Sequence, residues 1–149
     1  MIFVTVGTAH FDPLIEMVDQ LVETGEIKDT VVAQTGRGSY IPKNFKSFRF
    51  MKSLKQAYEK ASVVISTGGA GTIIECTKQG LRLIVVENTS LMEGHQSQLI
   101  GEMSRRGHLL WCRNLGDLAN CINEALSREF EPFIPEPALV PDMIKKLLE

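Results

Sequence analysis

The sequence is poor in cysteine, has no excess of basic charge and contains no long hydrophobic run. Its three cysteines, Cys76, Cys112 and Cys121, show no C-x-x-C spacing, which argues against a disulfide framework or a zinc site and favours a reducing compartment. The net charge of −2 gives no bulk electrostatic reason to bind nucleic acid. The longest uncharged run, Ala61–Ile74, has 14 residues, whereas a membrane-spanning helix needs about 20 apolar ones. We therefore expect no metal site, no nucleic-acid partner and no membrane span.

What the chain does contain is an alternation of strand and helix patterns. Its 149 residues, 44% of them hydrophobic, suffice for one domain with an ordinary core. Strands are predicted at 2–6, 30–34, 45–50, 63–66, 83–86 and 109–112, and helices at about 12–25, 53–58, 70–79, 93–106 and 115–127. Asp12 is expected to cap the first helix and Ser53 the second. The alternation predicts an α/β, Rossmann-like fold with a mainly parallel sheet flanked by helices.

The end of the chain differs in composition from the rest. Residues 128–141 hold four of the six prolines, which indicates an extended strap rather than a helix. Residues 142–149 return to a helical pattern. We therefore divide the chain into a Rossmann-like domain over residues 1–128 and, as part of the same domain, a Pro-rich strap with a short C-terminal helix over residues 129–149.

The run from Ser66 to Glu75, Ser-Thr-Gly-Gly-Ala-Gly-Thr-Ile-Ile-Glu, is the most informative segment. It joins a buried-strand pattern to a helix pattern, and its glycines let backbone N–H groups approach a ligand. A helix N-terminus favours an anion such as a diphosphate, so Gly69–Thr72 are predicted to contact one, with Glu75 placed to take ribose hydroxyls. The spacing matches neither a Walker loop nor the G-x-G-x-x-G fingerprint. The alternative is a tight strand–helix connection whose glycines serve packing alone.

Other polar turns follow predicted strands and should lie at the same edge, because ligands bind beyond the carboxyl ends of parallel strands. Gly7 and Thr8 follow the first strand and offer free N–H groups and a hydroxyl. Arg37, between two glycines after the second strand, offers a guanidinium to phosphates. His95 and Gln96 follow the fifth strand and offer partners for sugar hydroxyls. For each of these turns the alternative is an ordinary solvent-facing connection.

Together these motifs resemble the donor-binding catalytic subunits of split GT-B glycosyltransferases. The chain is similar to the catalytic subunit of the eukaryotic UDP-GlcNAc transferase that acts on a dolichol-linked oligosaccharide, to bacterial PssE and to the C-terminal half of MurG. The resemblance extends from residue 1 to about residue 127 and is carried by residues 3–8, 34–38, 65–75, 91–96 and 107–109. It implies one Rossmann-like half of a GT-B fold, in which two such halves enclose a cleft.

The resemblance also implies roles for single residues. Glu75 matches the glutamate that holds the ribose hydroxyls of UDP, Thr8 matches a hydroxyl residue near the phosphates, and the backbone of Met51 matches the contact to uracil. The pair His95–Gln96 matches residues that face the donor sugar. The residues expected at the diphosphate, where they would stabilise the leaving group, are Gly69, Ala70, Gly71 and Thr72.

The implied activity is that of an inverting transferase that uses a UDP-sugar, with UDP-GlcNAc favoured, as a substrate and needs no cofactor. A membrane-anchored partner subunit would bind the lipid-linked acceptor and supply the general base, so the chain is expected to be cytoplasmic and peripheral to the membrane through that partner. The alternative is a non-catalytic regulatory or scaffold subunit that binds a nucleotide sugar. A stand-alone NAD-binding protein would carry G-x-G-x-x-G after the first strand, and residues 7–10 do not supply it.

Overall fold

The computed structural model describes residues 1–7, 9–86 and 94–134, and the side chains of all of these except 94–96. The strands are β1 (Ile2–Thr5), β2 (Val31–Gln34), β3 (Lys46–Phe48), β4 (Val63–Thr67), β5 (Leu83–Val86) and β6 (Leu110–Cys112). The helices are α1 (Asp12–Glu23), α2 (Lys55–Lys60), α3 (Ala70–Lys78), α4 (Gly94–Arg105) and α5 (Leu118–Ser127), with a 3-10 turn at Leu115–Asp117. Every strand and helix predicted up to residue 127 is present. No helix in the described ranges is long and apolar enough to cross a bilayer.

The six strands form one sheet in the order β3-β2-β1-β4-β5-β6, and every pair of neighbours is parallel. The parallel, Rossmann-like sheet expected from the sequence is confirmed. The order reverses at β1, because the strands that follow it in the chain lie first on one side and then, from β4 onward, on the other. A reversal of this kind leaves a crevice between the connections that leave β1 and β4.

Helices cover both faces of the sheet. Leu14 and Val18 of α1 pack with Leu118 of α5 on one face, whereas Ile73 of α3 and Ile100 of α4 pack on the other. Strands buried on both faces are expected to be continuously apolar, as all four residues of β5 are. The layers place the N-termini of α1 and α3 on opposite faces of the same sheet edge.

The segment after α5 leaves the helix in an extended conformation at Arg128. Two backbone hydrogen bonds hold this segment against the rest of the domain. Glu131 N–H donates to the carbonyl of Gly107, after α4, at 3.0 Å, and Phe133 N–H donates to the carbonyl of Thr77, in α3, at 2.9 Å. The strap is therefore extended as far as residue 134. The C-terminal helix expected at 142–149 lies outside the described residues, and the division at residue 128 stays a prediction.

The N-termini of α1 and α2 differ from the expectation. Asp12 lies inside the first turn of α1, and the N-cap is Phe11, which makes no side-chain capping bond. Helix α2 has Leu54 as its N-cap, while the Ser53 hydroxyl accepts the N–H of Lys55 at 3.3 Å from one position earlier. The predicted cap at Asp12 was wrong because its carboxylate serves a distant loop.

That loop follows β2 and is held along α1 by two carboxylates. Asp12 accepts the N–H of Ser39 at 3.1 Å and that of Tyr40 at 3.3 Å. Asp19, which is 3% exposed, accepts four bonds. Its donors are the Tyr40 hydroxyl at 2.6 Å, the amides of Lys43 and Asn44 at 2.9 and 3.0 Å, and Asn44 Nδ2 at 2.9 Å. These bonds fix the path of residues 38–44.

The acid sensitivity of the fold should depend on Asp19. Burial acts to raise the pKa of this carboxyl, but the bonds from Tyr40, Lys43 and Asn44 outweigh it and hold the pKa below its ordinary 3.8. The resulting stabilisation is present above pH 3.8 and is lost as the pH falls through the folded-state pKa. We expect Asp19→Asn to lower the free energy of unfolding by about 2 kcal/mol near neutral pH, with a gap from wild type that closes in acid.

Urea unfolding at several pH values between about 7 and 2.5 measures that gap. Glu16→Gln, which changes an exposed carboxylate on the same helix, is the control and should leave the free energy of unfolding within about 0.5 kcal/mol of wild type. A gap between wild type and Asp19→Asn that stays constant across this pH range would contradict the assignment.

Candidate functional site

Three glycine-containing turns lie at the carboxyl edge of the sheet, after the adjacent strands β2, β1 and β4. The first two turns touch: Arg37 N–H donates to the carbonyl of Ala9 at 2.9 Å. Gly36 has a φ of +59°, and a Cβ there would lie 2.2 Å from the Ala9 oxygen. Only glycine fits that position. The expectation that these turns gather at one edge of the sheet is confirmed.

The N-terminus of α3 presents backbone donors that have no partner among the described residues. Gly69 is the N-cap and has no side chain to accept a bond from the first turn. The N–H groups of Ala70, Gly71 and Thr72 are first-turn amides, for which a helix has no internal acceptor, and no described residue accepts from them. A Cβ built at Gly69 or Gly71 would meet no described atom within 4 Å. Three donors at the positive end of a helix, with no described atom close to its first glycines, are suited to an anion.

Glu75 lies one turn further along α3. It is exposed, and its four-residue spacing from Gly71 places both on the same side of the helix. Tyr58 of α2 is buried beside α3, and burial together with nearby Cys76 and Glu75 raises the pKa of its hydroxyl. Tyr58 therefore stays protonated at neutral pH.

The thiol next to Glu75 is not a nucleophile. Burial, with a smaller contribution from Glu75, raises the pKa of Cys76 to about 12. A thiol with that pKa stays protonated at neutral pH, and the thiolate is the reactive form. Within residues 1–7, 9–86 and 94–134, no three His, Cys, Asp or Glu side chains gather as metal ligands.

The structure places the other expected donor contacts as follows. Gly7 does not offer a free N–H, because its turn, with a φ of +67°, directs that N–H to Thr5 Oγ1 at 3.1 Å. Arg37 is exposed in the turn after β2 and forms no ion pair with a described residue. Met51 is 54% exposed beyond the carboxyl end of β3. The expectation for the Gly7 amide was therefore wrong, and those for Arg37 and Met51 stay predictions.

Three of the expected residues lie wholly or partly outside the described residues. Thr8 is outside the described residues, and so are the side chains of His95 and Gln96. The backbone of α4 begins at Gly94, and the helix packs on the same face of the sheet as α3. The start of α4 thus follows β5, the strand next to β4, as the sequence predicts.

Sequence reasoning missed a row of buried polar side chains beneath these turns. Thr5 pairs in register with Gln34 on one side and with Ser66 on the other, and all three are buried. A signal was available, since each is a polar residue near the end of an otherwise apolar strand.

A separate depression of about 550 Å³ lies at the opposite edge of the sheet, between residues 25–29 and α5, and includes none of the expected site residues.

Comparison with known proteins places this geometry in a family. The profile described as "Glycosyltransferase family 28 C-terminal domain" matches residues 1–134. The human "UDP-N-acetylglucosamine transferase subunit ALG13" is 37% identical over 122 residues, which cover 74% of this chain and 11% of the human protein. The Yarrowia lipolytica protein of the same name is 30% identical over 119 residues, covering 71% of this chain and 61% of its own length. The chain thus spans less than two thirds of the length of either relative.

Solved structures agree on the fold. An NMR structure of ALG13 superposes with a TM-score of 0.62 at 20% identity, covering 99% of this chain and 94% of that one. The crystal structure of Acinetobacter baumannii MurG superposes with a TM-score of 0.68 at 18% identity, covering 85% of this chain and 41% of MurG. The architecture is that of one half of a GT-B glycosyltransferase, as the resemblance implied. On the profile match over residues 1–134, the chain belongs to the glycosyltransferase family 28 C-terminal domain family.

Proposed function

We propose that this chain is the donor-binding subunit of an inverting glycosyltransferase that uses a UDP-sugar, with UDP-GlcNAc favoured. The observation that carries the proposal is the set of three amides at the start of α3 that bond to no described residue. They lie beside Gly69 and Gly71, where a Cβ would meet no described atom within 4 Å, and Glu75 lies one turn further on. Family membership supports it, as does the relatives' name, UDP-N-acetylglucosamine transferase subunit.

In the proposed reaction an acceptor hydroxyl attacks the anomeric carbon from the face opposite UDP. The new C–O bond forms as the bond between the anomeric carbon and the diphosphate breaks. The electron pair of the broken bond leaves with UDP. The amides of Ala70, Gly71 and Thr72 would stabilise that developing charge, together with the positive end of α3. Removing one fixed donor of this kind costs about 3–4 kcal/mol of transition-state stabilisation in other enzymes. The hydroxyl proton would pass to a base on the partner subunit.

The rest of the donor would be held by side chains around the crevice. Glu75 would accept two ribose hydroxyls, and the Arg37 guanidinium would approach the phosphates. Gly7 contributes a turn rather than a donor, because its N–H is already bonded to Thr5. The further residues assigned to phosphate, base and sugar are Thr8, Met51, His95 and Gln96.

A partner is part of the proposal because the chain corresponds to one half of a two-part fold. It covers 41% of MurG, and the relatives of similar sequence are named subunits. We propose a membrane-anchored acceptor-binding subunit that faces the carboxyl edge of the sheet and presents a lipid-linked acceptor. The chain would then be peripheral to the membrane through that subunit.

The purified chain should therefore transfer no sugar on its own. Transfer from radiolabelled UDP-GlcNAc to a lipid-linked acceptor should require this chain together with a candidate membrane-anchored subunit from the same genome. The measurement compares the chain alone, the candidate partner alone and both together. Robust turnover by the chain alone would contradict the split arrangement. UDP-GlcNAc binding without transfer, in the presence of a partner shown to associate, would instead favour a non-catalytic regulatory or scaffold subunit.

A further inference from the structure

A buried pair of side chains lies directly beneath the turns that follow β1 and β2. Thr5 ends β1, Gln34 ends β2, and the two residues are register partners. Thr5 is 1% exposed and Gln34 is 5% exposed. The Thr5 hydroxyl donates to Gln34 Oε1 at 2.7 Å. This bond joins positions 29 residues apart and fixes the direction of the hydroxyl proton.

The same hydroxyl holds the turn after β1. With its proton directed to Gln34, the Thr5 oxygen accepts the N–H of Gly7 at 3.1 Å. Gly7 is in the left-handed region, with a φ of +67°, so the chain changes direction here. The bonds that run from Gln34 through Thr5 to Gly7 therefore fix the position of the turn at Gly7.

The turn after β2 packs against the turn after β1. Arg37 N–H donates to the carbonyl of Ala9 at 2.9 Å, and a Cβ on Gly36 would lie 3.0 Å from the carbonyl oxygen of Gly7. Contacts as close as these leave no room for one turn to shift while the other stays in place. A displacement of Gly7 would therefore be transmitted to the loop that carries Arg37.

We propose that Thr5 and Gln34 are positioning residues for the donor diphosphate. The inference rests on the proposed function, in which the Arg37 guanidinium approaches the phosphates from the turn after β2. Thr5 and Gln34 do not touch the donor; they hold both turns in place before it binds. A site ordered in advance loses less conformational freedom on binding, so removing the pair weakens affinity for the phosphates in particular.

Thr5→Val tests this, because valine keeps the shape of threonine and removes the hydroxyl. Titrations of the 149-residue chain with UDP and with uridine, followed by NMR, give the two affinities. We expect UDP to bind about tenfold more weakly and uridine to bind as it does to wild type, because uridine lacks the phosphates. Thr5→Ser, which restores the hydroxyl, should return UDP affinity to within about twofold of wild type.

Thr77→Val is the matched control. Thr77 is 0% exposed, and its hydroxyl donates to the Ile73 carbonyl at 2.7 Å within α3, not to the turns after β1 and β2. It should leave both affinities unchanged. Gln34→Leu, which removes the amide that accepts the bond from the Thr5 hydroxyl, should weaken UDP binding and leave uridine binding unchanged. This variant replaces Thr5→Val in the test if Thr5→Val does not fold.

The outcomes separate this inference from the function on which it rests. A wild-type chain that binds neither UDP nor uridine would overturn the proposed function and the inference with it. A wild-type chain that binds UDP, with a folded Thr5→Val variant that binds it equally well, would overturn the inference alone. Equal losses of UDP and uridine affinity would do the same, because they indicate a structural role.

Discussion

Glu75→Ala should weaken UDP binding by about 10- to 100-fold and leave thermal unfolding almost unchanged. A carboxylate that accepts ribose hydroxyls makes charged hydrogen bonds, which are worth roughly 1.5–3 kcal/mol. Glu75 is exposed on α3 and has no side-chain bond to a described residue, so its removal breaks no contact of the fold. The alanine also suits the helix, since it has the highest helix propensity. Transfer in the presence of a partner should fall at least as far as binding.

Calorimetric titration with UDP and thermal unfolding of the same variants give the two measurements. Glu75→Gln keeps the shape and loses the charge, so its UDP affinity should fall between those of wild type and the alanine variant. Glu23→Gln, an exposed carboxylate on α1, is the control for the loss of one negative charge and should bind UDP as wild type does. Unchanged UDP affinity in Glu75→Ala would contradict the proposal that Glu75 binds the ribose hydroxyls.

The fold could be predicted because its signals are local. Runs such as Leu83–Val86 are apolar over strand length, and the pattern Leu14, Ile15, Val18, Leu21 repeats at helical spacing. Alternation of the two patterns then restricts the topology to parallel βαβ units. The edge at which the glycine turns meet followed from that topology alone.

The side-chain links between turns could not be predicted in the same way. Asp12 bonds Ser39 across 27 positions, and Asp19 bonds Tyr40 across 21. Nothing near Asp12 in the sequence distinguishes a carboxylate that caps its own helix from one that accepts the amides of a distant loop. Local preference favoured the cap, and the tertiary contact overrode it.

The same distinction between local and tertiary signals applies to the candidate site. The amides of Ala70, Gly71 and Thr72 follow from a helix that begins after a glycine, which the sequence states directly. The occupied Gly7 amide depends on the rotamer and register of Thr5, which only the three-dimensional structure supplies. Backbone donors at helix ends can therefore be predicted from sequence, whereas donors in turns depend on what lies beneath them.

Gly69→Asp should make the protein more stable and prevent UDP from binding. Gly69 has φ −69° and ψ 127°, which suit any residue, and a Cβ there meets no described atom within 4 Å. An aspartate at the N-cap accepts the N–H of Gly71 or Thr72 and places a negative charge at the positive end of α3. The free energy of unfolding should rise by a few tenths to about 1 kcal/mol. The same carboxylate occupies the amides proposed for the diphosphate and repels it, so UDP affinity should fall by about 100-fold or more.

Gly69→Asn separates the charge from the shape. Asparagine caps the helix about as well as aspartate but adds no charge, so it should raise the stability similarly and weaken UDP binding by only about tenfold. The difference between the two variants should narrow at high salt, because screening reduces charge repulsion in an exposed crevice. Denaturant unfolding and UDP titration at low and high salt measure both effects. If Gly69→Asp were more stable than wild type and still bound UDP with wild-type affinity, the diphosphate would have to lie away from the start of α3.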